Sequence, residues 1–150
     1  MANTPVTRIG ELAQKKVKRI FAAPINAAFF AAAKITPTVG TTDLLLVNLP
    51  EFAVITDAYV VVDTAANSAT TATVAVGTTE GGEQVLAATS VATVPATGVA
   101  GTLVAKQKTG TGVQLYAALV FTGATTNFGD FTIVIEYTEY DKNTGEYTKF

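Results

Sequence analysis

"KKVKRIFAAPINAAFFAAAK", residues 15–34, places four basic side chains in its first five positions and then runs almost free of polarity to Lys34. A helical reading of its first part rests on the residues before it. Thr4-Pro5 has the form of an N-cap followed by a first helical proline. Ile9, Leu12, Ala13, Val17 and Ile20 then recur at helical spacing, with Arg8, Glu11, Lys15, Lys18 and Arg19 on the other side. This predicts an amphipathic helix over about residues 5–21, although Lys16 falls on the apolar side. After Pro24, "INAAFFAAAK" reads either as a second short helix or as an extended arm. It has no polar face to give to water, so its own domain or a neighbouring subunit has to cover it.

Three roles compete for this stretch. A basic region followed by an apolar run and the small residues of "FAAAK" has the outline of a signal peptide. The basic residues begin only at position 15, however, and Pro24 and Asn26 interrupt the apolar run. A membrane span needs about 20 continuous apolar residues, which the stretch lacks. An interfacial helix remains open. The favoured expectation is an arm, residues 1–34, that docks on protein. Lys15, Lys18 and Arg19 would meet acidic surface, and Ile20, Phe21, Ile25, Phe29 and Phe30 would be buried. On this expectation residues 35–150 form the body, and deleting 1–34 leaves a soluble β-rich domain that no longer binds its target.

The charge distribution agrees with an arm. Residues 1–34 carry six basic and one acidic side chain, a net of +5. Residues 35–150 carry four basic and eleven acidic, a net of −7. A basic segment on an acidic body suggests a negatively charged partner surface, a solvated helix face being the plainer reading.

From Thr36 the texture changes. Thr and Ala make up about a third of the chain, and Thr favours strands while Ala permits close packing of sheets. Strand-like runs lie at 43–49, 52–62, 70–77, 101–107, 112–121 and 129–140, separated by "DTAANSA", "TTEGGE", "PATGVAG", "KTGTG" and "TGATTNFG". The run 83–92 reads as either a strand or a helical turn. Along 131–139, Phe131, Ile133, Ile135 and Tyr137 share one face, and Thr132, Val134, Glu136 and Thr138 share a half-wet one. The tail "YDKNTGEYTKF" reads as a small hairpin turned at Asn143-Thr144-Gly145. The fold class is all-β, an antiparallel β-sandwich or jelly-roll-like body behind a helical or extended N-terminal arm.

Chemistry is scarce. There is no cysteine and no histidine, which removes thiolate chemistry, the commonest metal ligand and every histidine-activated nucleophile. Asp57 and Asp63 would lie about 20 Å apart on a straight strand, too far for a glycosidase pair at about 5–10 Å. Glu80 and Glu83 flank Gly81-Gly82 without the ligand spacing of a calcium loop. "VGTTEGG" lacks the lysine and glycine spacing of a phosphate loop. No catalytic, cofactor or metal residue is assigned, and no enzyme is expected. Specific nucleic-acid binding is not expected either, because the sheet aromatics sit among acids in "FGDFTIVIEYTEY".

The run "LPEFAVITDAYVVVDTAANSATTATVAVGTTEGGE" has a long strand ending in "VVVDT", a turn, and a second strand ending in "VAVGT". The Val/Ile/Tyr-rich close "FTIVIEYTEY" completes the pattern. Over about residues 43–140 it resembles the β-sandwich or jelly-roll capsid decoration (cement) and head-fibre proteins of tailed bacteriophages. The resemblance implies many copies on the virion exterior, frequent homotrimers, and an arm or loop lying across joints between major capsid protein subunits. Alternatives are a tail or fibre component that binds a receptor through aromatics such as Phe128 and Phe131, and a secreted adhesin or surface-layer module whose residues 1–33 are a signal peptide.

Overall fold

A computed structural model describes residues 16–36, 39–68, 70–123 and 127–140. Nine strands and one short helix follow in order: β1 (Lys16–Ile25), α1 (Ala27–Ala33), β2 (Gly40–Leu49), β3 (Ala53–Thr64), β4 (Thr71–Gly77), β5 (Leu86–Ser90), β6 (Val99–Ala100), β7 (Gln107–Lys108), β8 (Val113–Thr122) and β9 (Asp130–Tyr140).

The strands form two antiparallel sheets. One runs β1-β9-β3-β6, with β7 also on β3, and the other runs β2-β8-β4-β5. The two-residue strands β6 and β7 pair with different parts of β3 and together act as one broken strand. Counted so, the body has eight strands, and the chain changes sheet at every step except the β4–β5 hairpin. That is the double Greek key of a jelly roll.

The residues 16–21 are extended, whereas the helical pattern predicted a helix there; residues 5–15 lie outside the described residues. Strand β1 pairs with β9 along its whole length, from Lys16↔Tyr140 to Ile25↔Phe131. From Ile20 to Ile25 the alternation is of period two: Ala23 and Ile25 are buried and Phe21 half-buried, while Ile20, Ala22 and Pro24 are exposed; Lys18 and Arg19 before them are both exposed. Pro24 cannot sit inside a helix, and on a sheet edge its missing N–H is harmless when it faces outward. The strand then ends at Asn26, whose side chain accepts from Phe29 N at 2.9 Å and caps α1. Lys34 closes the helix in the left-handed conformation.

Phe121, Phe131, Ile25, Ile55, Leu115, Leu119, Ile133 and Ile135 are fully buried between the sheets. On one flank the sandwich is laced shut by residues 91–109. Ala66 N donates to Val91 O, Val62 N to Gly98 O and Val104 N to Val85 O, at 2.8–2.9 Å, so this strap bonds both to β3 in one sheet and to the approach to β5 in the other. The expected strand at 101–107 is part of the strap, and only its last residue is in a strand. Buried Thr109 holds the end of the strap. Its hydroxyl donates to Pro50 O at 2.7 Å and accepts from Ala53 N at 3.0 Å.

The undecided run 83–92 contains strand β5. On β9, Val134 and Thr138 are buried rather than half-wet, because β9 lies between β1 and β3 and neighbouring side chains cover its short ones. The hairpin proposed for residues 141–150 lies outside the described residues.

Gly129 enters β9 with φ +83°, and a Cβ there would lie 2.8 Å from Thr64 O and 3.0 Å from Ala66 N. Both atoms are main chain and cannot step aside. Gly129→Ala is therefore expected to destabilise the protein by at least about 2 kcal/mol. A shift in the urea midpoint at constant m-value is the measurement, and an unchanged midpoint would show that the turn relaxes freely.

Candidate docking surface

Of the eight residues expected to meet a partner, the structure commits two to this chain's own core. Ile25 is fully buried and Phe30 is 5% exposed. Phe30 meets Phe128 edge-on at 6.3 Å, and Phe128 meets Phe121 at 4.9 Å. This aromatic chain ties α1 to the space between the sheets, so neither side chain is available to a neighbouring subunit. Phe128 is half-buried and Phe131 fully buried. They are not the exposed loop-tip aromatics that a receptor-binding reading called for.

Two cations of the expected basic face have partners within the sheet. Lys18 Nζ lies 2.6 Å from Glu136 Oε2, and Arg19 Nε donates to Glu139 Oε2 at 3.3 Å. Both are cross-strand pairs between β1 and β9, and both cations remain largely exposed, so each pair contributes little. Lys15 lies outside the described residues. Phe21 and Phe29 are half-buried, and Ile20 is 63% exposed.

The helix α1 leaves an apolar surface uncovered. Phe30 is buried, but Ala27, Ala28, Ala31, Ala32 and Ala33 are all exposed, with Phe29 beside them. Its own domain therefore covers only one side of this polar-free helix. A second apolar group lies on the opposite flank, where the strap exposes Val94, Val99 and Val104. Of this group only Val104 falls in the run 101–107 read as a strand; Val94 and Val99 precede it. The available signal was that "PATGVAGTLVAKQ" carries apolar residues without a sustained period of two.

The acidic and hydroxyl groups serve local structure. Asp43 accepts from Gly81 N at 2.9 Å, Glu83 from Ala88 N at 3.3 Å, and Asp57 from Ala58 N at 2.9 Å. Ser68 donates to Thr122 O, and Ser90 accepts from Ala92 N. Among the described residues no three acidic side chains gather closely enough to hold a metal ion. Among them, too, no helix is long and apolar enough to cross a membrane.

One small charged group is shared between strands. The hydrogen bond and charge of Glu136 raise Lys18 above its ordinary 10.5. Burial first, and then the Glu136 charge, raises Tyr59 above 10.0. In each case the proton is held more tightly in the folded chain, so the stabilisation is complete below about pH 10 and is lost as pH rises through the folded values. Thermal midpoints are expected to hold between pH 8 and 9.5 and to fall above about pH 10.5, less steeply in Tyr59→Phe. A parallel fall in that variant would remove Tyr59 from the explanation.

Comparison with solved structures finds the same fold in phage particles. A chain in the acidic stable capsid structure of Helicobacter pylori bacteriophage KHP30 superposes with a TM-score of 0.58 at 16% identity, covering 83% of this chain and 92% of that one. A chain in the capsid asymmetric unit of cyanophage Pam1 gives 0.54 at 15% identity, covering 85% and 86%. The paired coverages are similar in each case, so both matched chains are about the size of this one. No protein-family model and no curated protein matches the sequence.

Proposed function

We propose that this chain is a structural, non-enzymatic virion protein that decorates a tailed-phage capsid and stabilises it by binding across major capsid protein subunits on the exterior. The observation that carries this reading is the nearly full-length likeness of its fold to similarly small chains in two phage capsids. The size match matters. The likeness takes in almost all of each chain, so it is not confined to one module of a larger shell protein.

The docking face is the uncovered side of α1, with its exposed alanines and Phe29, together with exposed Lys34 at the end of the helix. A flat surface of alanines permits close approach, an aromatic beside it anchors, and a cation at the rim sets orientation toward an acidic shell. Binding only the assembled shell stabilises that state by mass action. The stitched sandwich is suited to this role, because a rigid body transmits the clamp between the subunits that it touches.

Reconstitution tests the proposal. Full-length chain is added to shells assembled without it, and their heat release is followed. Saturable binding with a raised disruption temperature is expected, and Ala28→Glu, at an exposed position of α1, should abolish it while leaving the melt of the isolated chain unchanged. Absence of binding to shells at micromolar concentrations would refute the reading.

A further inference from the structure

We propose that β1 is the seam of a homodimer, in which two copies pair antiparallel along this strand about a two-fold axis at Ile20. Strand β1 is the end of its sheet, and among the described residues only β9 pairs with it. Ten residues long, it is an open template for another strand. The opposite flank is laced by the strap, so among the described residues the open edge of this sheet is β1.

Two independent observations fix which residues offer their main chain outward. Pro24 opposes Thr132 and has no N–H to give to β9, which places its nitrogen on the outer side. The carbonyl of Glu136, which opposes Ile20, accepts from the Thr56 hydroxyl on β3 and so points away from β1. Both give the same phase: Lys18, Ile20 and Ala22 present N–H and C=O outward. The central one of these three carries a large apolar side chain that is 63% exposed.

Self-pairing about Ile20 satisfies this edge without conflict. Ile20 faces Ile20 of the second copy, Lys18 faces Ala22, and Arg19 faces Phe21. No like charges oppose one another. The cations that would otherwise guard the edge are already drawn back to Glu136 and Glu139 on β9. Three hydrogen-bonded residue pairs give about six main-chain hydrogen bonds. The arrangement is isologous and closes, so it uses up both edges instead of growing into a fibre. Strand β2, the end of the other sheet, is a poorer template because a bulge interrupts it between Leu45 and Val47. The dimer would carry two α1 faces, but it requires no shell and stands apart from the capsid reading.

The chain contains no cysteine, so one introduced thiol reports the axis directly. Facing Cα atoms of a hydrogen-bonded pair lie about 5.5 Å apart, within disulfide reach. For the full chain at tens of micromolar, light scattering should give a dimer mass. Under mild oxidation Ile20→Cys should cross-link at least about tenfold faster than Leu45→Cys, a position 54% exposed on the bulged edge. Ile20→Lys, which sets two ammonium groups against each other on the axis, should weaken dimerisation at least about tenfold without changing the melt of dilute protein. A monomer or trimer mass, equal cross-linking rates in the two cysteine variants, or undiminished dimerisation of Ile20→Lys would each overturn the proposal.

Discussion

Removing residues 1–34 is expected to unfold the chain, and removing residues 1–15 is expected to leave the two sheets intact. The longer deletion takes away β1, which pairs with β9 over ten positions, and leaves that central strand as a bare edge. It also strips Ile25 and Phe30 out of the core. Cutting side chains of these kinds back to alanine costs about 2–5 and 3–5 kcal/mol respectively, against a total stability of about 5–15 kcal/mol for a domain. Circular dichroism and urea unfolding of the two truncations make the comparison. A cooperative, native-like melt from residues 35–150 alone would restore the simpler division into a detachable arm and an independent body. The same consideration bears on the secreted-module alternative, because a mature chain starting near Lys34 would lack both β1 and Phe30.

Phe121→Ala is the point substitution expected to cost most, about 3–5 kcal/mol. Its ring is fully buried in β8 and stacks edge-on against Phe128, which in turn holds Phe30 and so the helix. The cavity would therefore loosen the attachment of α1 as well as the space between the sheets. Phe121→Leu should cost less than Phe121→Ala. Ile20→Ala should stay within about 0.5 kcal/mol, since that side chain touches little in the monomer. Equal effects of Phe121→Ala and Ile20→Ala would mean that the core is not where the structure places it.

The body was legible in the sequence because its strands announce themselves one at a time. Val/Ile/Tyr alternation bounded by Gly, Asn and Asp turns gives β3, β4, β8 and β9 nearly to their ends, and the all-β sandwich follows. Strand β1 was not legible for a physical reason. Lys18, Arg19 and Ile20 satisfy a helical and an extended pattern equally over so short a run, and the deciding partner, β9, lies more than a hundred residues away. The mismatch of Lys16 and the presence of Pro24 were the local signs against a helix. The strap at 91–109 was hidden for the opposite reason. It is held by two short two-residue pairings to β3 and by single hydrogen bonds elsewhere, so it carries no sustained period of its own. On the docking side, composition singled out residues 15–34 as a stretch with little polarity to give to water. It could not tell which apolar side chains the fold itself would take, and burial divides them: Ile25 and Phe30 inward, Ile20 and the α1 alanines outward.

The measurement that bears most directly on the capsid proposal is copy number, obtained by quantitative mass spectrometry of this chain against the major shell protein in particles purified from the source. Hundreds of copies in a fixed ratio to the shell are expected, falling to none in particles built without the gene. A few copies per particle would contradict shell decoration and indicate a tail or fibre component, and absence from every particle would remove the chain from the virion altogether.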